Sequence, residues 1–277
     1  MGTCNHCGKS AGFLSSQHAE CQGKFAAGQK QIVGLMLAEL EKQVPGEGFA
    51  QRLDDVAAGS FIRGEDLKSL ILEGYDRAVD KFLEDRRLEA WEEQRLVLLA
   101  DACAAHQIDV KTSPAYVRVV QAAVVRDVLL GHIPERCEFE GDLPVNIRKG
   151  ERLVWVFVKS KYLEESKRGE AGGASASSGV RVGKNGEYHE IGEFKGTATE
   201  NNAFAHVDTG FTVVTDKHVY FSGQGRSVRM PYGKIVSFRP FSDGVGIMRD
   251  AASAKWQVFA TGEGWFTYNL VRNLAKL

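Results

Sequence analysis

The hydrophobic pattern changes its period near the middle of the chain, and this change limits the fold more than any other feature. Before Gly131, apolar residues recur every three or four positions, as on one face of an amphipathic helix. After Pro144, β-branched and aromatic residues alternate with polar ones in short runs separated by turn residues. The sequence therefore predicts an α+β chain, in which an all-helical domain precedes an antiparallel β domain.

The domain boundaries follow from the same pattern. Five amphipathic segments predict a helical domain over 22–131. Its first helix has Ser15 or Ser16 as N-cap, and its last begins at Ser113 followed by proline. Residues 132–144 contain two prolines and form the predicted linker. We expect a metal-binding element over 1–24 and the β domain over 145–277.

The β domain is predicted from short strands and tight turns, and a single amphipathic helix beginning near Trp265 closes the chain. Turns are expected at 208–210 and 242–244, and a hairpin turn at 223–227. The strand predictions are 153–158, 180–183, 187–194, 203–207, 211–215, 218–222, 227–231, 235–240, 246–250 and 256–261. Residues 169–179 read GEAGGASASSG and predict a mobile loop between the first two strands.

Three of the five cysteines lie within the first 21 residues, in the pattern Cys4-x2-Cys7-x10-His18-x2-Cys21. Two close pairs of soft ligands separated by about a dozen residues are typical of a tetrahedral zinc site, and Gly8 after Cys7 fits a zinc knuckle. We expect one structural Zn²⁺, because four protein ligands leave no open position for catalysis. His6 is the alternative to His18 as the fourth ligand.

The charge is unevenly distributed along the chain. Residues 1–143 hold 16 Lys and Arg against 23 Asp and Glu, whereas residues 144–277 hold 19 against 13. The basic half favours anionic partners, and the acidic half counts against nucleic-acid binding by the zinc element. No apolar run of about 18 residues and no signal-peptide core is present, so we expect a cytoplasmic protein, at most peripheral at a membrane.

Two segments of the β domain carry a family resemblance. Residues 211–221 read FTVVTDKHVYF and residues 228–237 read VRMPYGKIVS. Together they resemble bacterial PH-like and GRAM-like domains, although His218 stands where those domains usually have arginine. The resemblance covers about 145–277 and implies a β-barrel capped by a C-terminal helix. It also implies lipid or phosphate binding by basic residues around the first two strands, here Lys159, Lys161, Lys167, Arg168, Arg181 and Lys184.

A weaker resemblance concerns the helical stretch from Gly74 to Ala105, which is similar to TerB-like domains. Members of that family can carry acidic metal sites. The matching carboxylates in this chain are Asp76, Asp80, Glu89, Glu92 and Glu93. Charged helix faces of this kind are more often solvated than metal-bound, and basic residues are interspersed among these acids.

The sequence shows no nucleophile elbow, phosphate-binding loop, zincin motif or dinucleotide fingerprint. We therefore expect a non-enzymatic modular sensor or adaptor. Its expected partners are a protein and an anionic lipid or membrane surface, and self-association as a homo-oligomer is left open. Bacterial stress or phage defence is the setting suggested by the modules. The alternatives are a nucleic-acid-binding zinc protein and an unrecognised hydrolase.

Overall fold

The computed structural model describes residues 2–12, 15–42, 46–166, 196–252 and 254–277. The chain divides into two compact units, Met1–Ala123 and Val124–Leu277. The predicted loop at 169–179 and the predicted strands at 180–183 and 187–194 lie outside the described residues. None of the described helices combines the length and apolar character needed to cross a membrane.

The first unit begins with a small antiparallel hairpin of β1 (Gly2–Thr3) and β2 (Ser10–Gly12). The helices that follow are α1 (Ala19–Glu39), α2 (Phe49–Gly59), α3 (Gly64–Phe82), α4 (Ala90–Ala104) and α5 (Pro114–Leu129), the last of which extends into the second unit. The prediction of a Ser113 cap before proline is confirmed, since the Tyr116 amide donates to Ser113 Oγ at 3.2 Å.

The predicted cap of the first helix is wrong. His18, in an extended conformation, occupies the N-cap of α1, and neither Ser15 nor Ser16 does. The reason is local, because the Gln17 amide donates to Ser15 Oγ at 3.2 Å, which forms a separate turn before the helix.

The helices of the first unit pack closely around an apolar centre. Gly74 of α3 faces Met36 of α1, and a Cβ atom at Gly74 would lie 2.5 Å from Met36 Cγ. Tyr75 is fully buried and donates its hydroxyl to the carbonyl of Leu96 in α4 at 3.2 Å. Because Gly74 has no side chain, α3 can pack closely against α1 and bury its predicted apolar stripe.

Among its described residues, the second unit contains one antiparallel sheet of seven strands and a C-terminal helix. The strands are β3 (Leu153–Glu165), β4 (Phe204–Thr215), β5 (His218–Gly223), β6 (Ser227–Pro231), β7 (Ile235–Phe241), β8 (Gly244–Arg249) and β9 (Gln257–Ala260). Their order in the sheet is β6-β5-β4-β3-β9-β8-β7. The predicted turns at 223–227 and 242–244 are confirmed.

The sheet formed by the described strands is open, and it does not support the expected β-barrel. Its edges are β6 and β7, which follow one another in the chain but do not pair. Pro231, which has no amide hydrogen to donate, ends β6, and a 3-10 turn at Tyr232–Lys234 separates it from β7.

The turn predicted at 208–210 is also wrong, because β4 continues through it. Gly210 pairs with Gly223 of β5, and a Cβ atom at Gly210 would lie 2.0 Å from the Ser222 carbonyl oxygen. Asp208 accepts hydrogen bonds from the amides of Gly225 and Arg226 at 2.8 and 2.9 Å. Gly210 therefore allows the close pairing of β4 with β5, and Asp208 stabilises the hairpin turn between β5 and β6.

The C-terminal helix α6 (Gly264–Leu274) packs on β7 and β8, which confirms the predicted closing helix. Its Phe266 ring lies 4.8 Å from that of Trp155 and 5.7 Å from that of Phe157, both on β3. The helix thereby covers one face of the sheet with aromatic contacts, a typical way to bury the apolar face of an open sheet.

Candidate metal centre

The cysteine-containing turn between β1 and β2 brings the first pair of candidate ligands together. The Cys4 amide donates to the Lys9 carbonyl at 2.7 Å, and the Gly8 amide donates to the Cys4 carbonyl at 2.9 Å. Gly8 has φ of +73°, a left-handed conformation that glycine adopts without steric cost. This turn is the local structure predicted for a zinc knuckle.

The second pair of ligands comes from the start of α1. His18 is the N-cap residue, and Cys21 lies in the first helical turn. The Asn5 amide donates to the Ser16 carbonyl at 2.9 Å, which fastens the turn to the segment just before the helix. Two backbone elements far apart in the first 21 residues therefore converge on one point.

The ligand atoms of Cys4, Cys7, His18 and Cys21 all lie within 4.8 Å of one another. The Nδ1 atom of His18 is 3.4 Å from Cys7 Sγ and 3.7 Å from Cys21 Sγ. A tetrahedral zinc ion, with bonds of about 2.3 Å to sulfur and about 2.0 Å to nitrogen, places adjacent ligand atoms roughly 3.5 to 3.8 Å apart. The two measured edges fit such a tetrahedron, so the four residues can hold a metal ion.

The orientation of the His18 ring identifies its ligand atom. The Nε2 atom lies 2.9 Å from the Ser10 carbonyl oxygen, which can only accept a hydrogen bond. The ring proton therefore belongs on Nε2, and the Nδ1 lone pair is directed at the cysteine sulfurs. A backbone carbonyl that binds the second imidazole nitrogen is a common support for metal-binding histidines.

The thiols of the cluster have different electrostatic environments. Hydrogen bonding from the Cys7 backbone amide is the main cause that lowers the pKa of Cys4 to about 6. Burial, followed by the neighbouring Cys7 and Cys4 thiols, raises the pKa of Cys21 to about 11. A cation at the centre of the cluster would favour the thiolate form of every cysteine, which is the form that binds metal.

His6, the alternative fourth ligand, is placed elsewhere. Its ring lies 4.7 Å from the Phe25 ring and 6.3 Å from the Phe61 ring. Within the described ranges, Cys4, Cys7, His18 and Cys21 form the only group of three or more metal-binding side chains with this proximity. The spacing of the sequence therefore predicted the complete cluster.

The acidic residues considered for a second metal site are engaged in protein contacts. Arg118 donates to both Asp76 and Asp80 at 2.7 Å. Glu92 accepts a hydrogen bond from the Glu89 amide at 2.9 Å and forms a capping box at the start of α4. These carboxylates stabilise the helical unit, and the structure does not bring Glu89 and Glu92 together with Asp76 as a metal-binding group.

Two of the six predicted lipid or phosphate ligands lie within the described residues. Lys159 and Lys161 are exposed on β3, and Lys159 has a φ of +56° where the pairing of β3 with β4 is irregular. Neither lysine has an ion-pair partner among the described residues. The other four predicted ligands lie outside the described residues: Lys167, Arg168, Arg181 and Lys184.

A buried polar cluster in the β unit was not predicted. His218 Nδ1 lies 2.9 Å from Glu151 Oε1, and the other oxygen of that carboxylate accepts from the Tyr220 hydroxyl at 2.9 Å. The one available signal was His218 itself, which departs from the arginine expected there. Glu151 lies in a polar segment before β3, and nothing in that segment predicts its burial.

Comparisons with protein-family models, with curated proteins and with solved structures find no match to this chain. Its function is therefore inferred from the chemistry of its own residues.

Proposed function

We propose that Cys4, Cys7, His18 and Cys21 bind one structural Zn²⁺ ion. Three thiolates and one imidazole form a donor set that suits zinc, and carboxylate- or water-preferring ions such as Mg²⁺ bind such sets poorly. The closed set of four protein ligands supports a structural role, because a catalytic zinc keeps a position for water or substrate. The bound ion would join the hairpin to the first turn of α1.

We further propose that the whole chain is a non-enzymatic modular adaptor whose β unit is PH-like. The strand order and the helix that follows the last strand support this, because consecutive strands form two antiparallel meanders joined through β3 and β9. In this proposal the first unit binds one protein partner, and the β unit binds a second protein or an anionic membrane.

An exposed segment of β3 is the observation that carries the binding proposal. Val158 is 58% exposed, and the exposed Lys159 and Lys161 follow it along the strand. An exposed apolar side chain beside unpaired cations suits either the surface of an anionic membrane or a protein partner with an acidic rim.

Vesicle flotation tests the binding proposal. The wild-type protein should float with vesicles that contain phosphatidylserine at low salt, and Lys159→Gln/Lys161→Gln should reduce the floating fraction. The matched control is Lys234→Gln/Arg249→Gln, which removes two exposed positive charges near the β7–β8 pair and should float like the wild type. A wild-type protein that stays unbound eliminates the membrane and leaves the protein partner, for which crosslinking at Lys159 is the corresponding test.

A role in bacterial stress or phage defence stays a prediction, because it rests on resemblance between modules. Nucleic-acid binding is opposed by the acidic charge of residues 1–143.

A further inference from the structure

The buried Glu151–His218 pair holds one imidazole in a fixed orientation. The Glu151 side chain is 1% exposed, and His218 as a residue is 6% exposed. Thr215 Oγ1 and the Tyr220 hydroxyl lie 3.1 and 2.9 Å from the second carboxylate oxygen. Since Nδ1 faces the carboxylate, Nε2 on the opposite side of the ring points away from it and is free to bind another group.

Exposed basic residues surround this pair. The Glu151 amide donates to the Arg148 carbonyl at 3.0 Å, which places Arg148 in the turn directly before the buried carboxylate. Arg229 on β6 lies directly opposite Tyr220 on β5, and the Tyr220 ring is 5.4 Å from that of His218. Lys217 precedes His218, and its Nζ donates to the Gly150 carbonyl at 3.3 Å.

The positive charges of this region exceed the local negative charges. Arg148 and Arg229 are exposed and have no ion-pair partner among the described residues, whereas Asp216 is 3.7 Å from Arg152. Burial lowers the pKa of His218, and the charges of Arg148 and Arg229 lower it further against the opposing effect of Glu151. Both guanidinium charges therefore act on the same imidazole.

We propose that His218, Arg148 and Arg229 bind a phosphate or the phosphate group of a monoester. A guanidinium offers parallel N–H donors that match the oxygens of a phosphate, and two of them can neutralise its charge. The imidazole adds a third contact at Nε2. With the ring proton of neutral His218 on Nδ1 facing Glu151, Nε2 accepts from the hydroxyl of a monoanionic phosphate, and it donates to a phosphate oxygen only when the ring takes up a second proton. The carboxylate is buried and lies 2.9 Å from Nδ1, on the side of the ring opposite Nε2, so it does not contact the anion.

This site differs from the one in the proposed function. Lys159 and Lys161 lie farther along β3, and at about 3.3 Å per residue the seven residues from Arg152 to Lys159 span roughly 20 Å. Each site can therefore be removed without the other. The proposed phosphate site also lies near the β4–β5 turn, where Thr215 and His218 end and begin their strands.

Titration of the full-length protein with inorganic phosphate tests the site. At constant pH and ionic strength, the His218 imidazole resonances in NMR spectra should shift saturably. Arg148→Gln/Arg229→Gln should weaken the apparent affinity at least about tenfold, because two charge-assisted contacts are lost. Lys159→Gln/Lys161→Gln removes the same charge and should leave the affinity within about twofold. A wild-type protein without a saturable shift, or equal weakening in both variants, overturns the proposal.

Vesicles distinguish a soluble phosphate from a lipid headgroup. Lys159→Gln/Lys161→Gln serves as the background here, because it removes the β3 surface. In this background, phosphatidylcholine vesicles that contain phosphatidic acid should retain the protein, and adding Arg148→Gln/Arg229→Gln should abolish retention if the source is a lipid. A phosphate-induced shift without retention supports a soluble ligand, and the absence of both overturns the site. Flotation lost only in Lys159→Gln/Lys161→Gln, without a phosphate shift, supports the β3 surface and overturns the phosphate site.

Discussion

The N-terminal hairpin and the β unit differ in the amount of apolar core that stabilises them. The hairpin has strands of two and three residues, and its one buried apolar side chain is Cys4, which lies near Cys21 of α1. The described part of the β unit has seven strands and a core that contains fully buried aromatic residues such as Phe259 and Phe238. An apolar core stabilises the β unit, whereas the hairpin is too short to form one, so we expect the proposed metal ion to supply much of the hairpin's stability.

The two regions should lose stability for different reasons. Metal binding to a small site can contribute about 10 kcal/mol or more to local folding, and its loss removes that contribution at once. The β unit distributes its stability over many contacts, and a single substitution removes only one part of it. The two regions should therefore respond to different treatments.

Metal removal has the largest expected effect. Chelation, or the substitution Cys4→Ser, should release the ion and expose the amides of residues 2–21, with a loss of about 10 kcal/mol in local stability. Hydrogen exchange with mass spectrometry measures this directly. Peptides from 235–260 serve as the internal control and should keep their protection. Unchanged exchange at 2–21 after metal removal contradicts the proposed dependence on zinc.

A core substitution in the β unit should destabilise that unit without releasing zinc. Phe259 is fully buried and lies 5.5 Å from the Tyr162 ring, so Phe259→Ala should destabilise the unit by about 3–5 kcal/mol. Chemical denaturation measures the change, and zinc content should stay at the wild-type value. Val236 is 45% exposed, and Val236→Ala is the control with an expected change within about 0.5 kcal/mol. Loss of zinc in Phe259→Ala would show that the two regions are not independent.

Substitution of the buried Glu151 measures how much the polar cluster stabilises the β unit. Glu151→Gln removes the charge that faces His218, and we expect a destabilisation of about 1.5–3 kcal/mol. The control is Glu164→Gln, because Glu164 is partly exposed in its 2.6 Å ion pair with Arg226 and should contribute about 0–1 kcal/mol. Equal effects of the two substitutions in denaturant unfolding would refute a special role for the buried pair.

Substitution of Glu39 should have the smallest effect on the unfolding free energy, and this effect should depend on pH. Burial would raise the pKa of Glu39, but Lys42, the Gly46 amide and Arg52 outweigh burial and hold the pKa below 4.5. The ionised form therefore stabilises the fold above pH 4.5, and this stabilisation is lost as the pH falls through the lowered pKa. Glu39→Gln should cost about 1 kcal/mol at neutral pH, because the carboxylate is buried but its partners Lys42 and Arg52 are each more than a third exposed.

Unfolding of the wild type and Glu39→Gln at several pH values checks this prediction. The difference between their unfolding free energies should shrink below pH 4.5. A difference that is constant with pH would mean that the carboxylate is not held in its charged form.

Much of the fold was predictable, since most elements have strong local patterns. The helix over Gly64–Phe82 and the hairpin at 223–227 follow from apolar spacing and glycine-rich turns. The metal cluster was predictable because its ligand spacing is short and chemically specific. In these regions, local sequence and tertiary structure agree.

The features that the sequence did not predict depend on contacts between segments far apart in the chain. Asp208 and Gly210 have the composition of a turn, but their partners on β5 and in the next hairpin keep them in a continuous strand. Glu151 is buried only because His218 and Tyr220, more than 60 residues later, surround it. Single-residue preferences contain no information about such pairings.

X-ray absorption at the zinc edge tests the central claim most directly. The purified protein should contain one zinc ion per chain, with three sulfur atoms at about 2.3 Å and one nitrogen at about 2.0 Å. His18→Ala should replace the nitrogen contribution with a water oxygen or release the ion, whereas His6→Ala should leave the spectrum unchanged. A metal-free protein, or a zinc ion with mainly oxygen ligands, would contradict the proposed site.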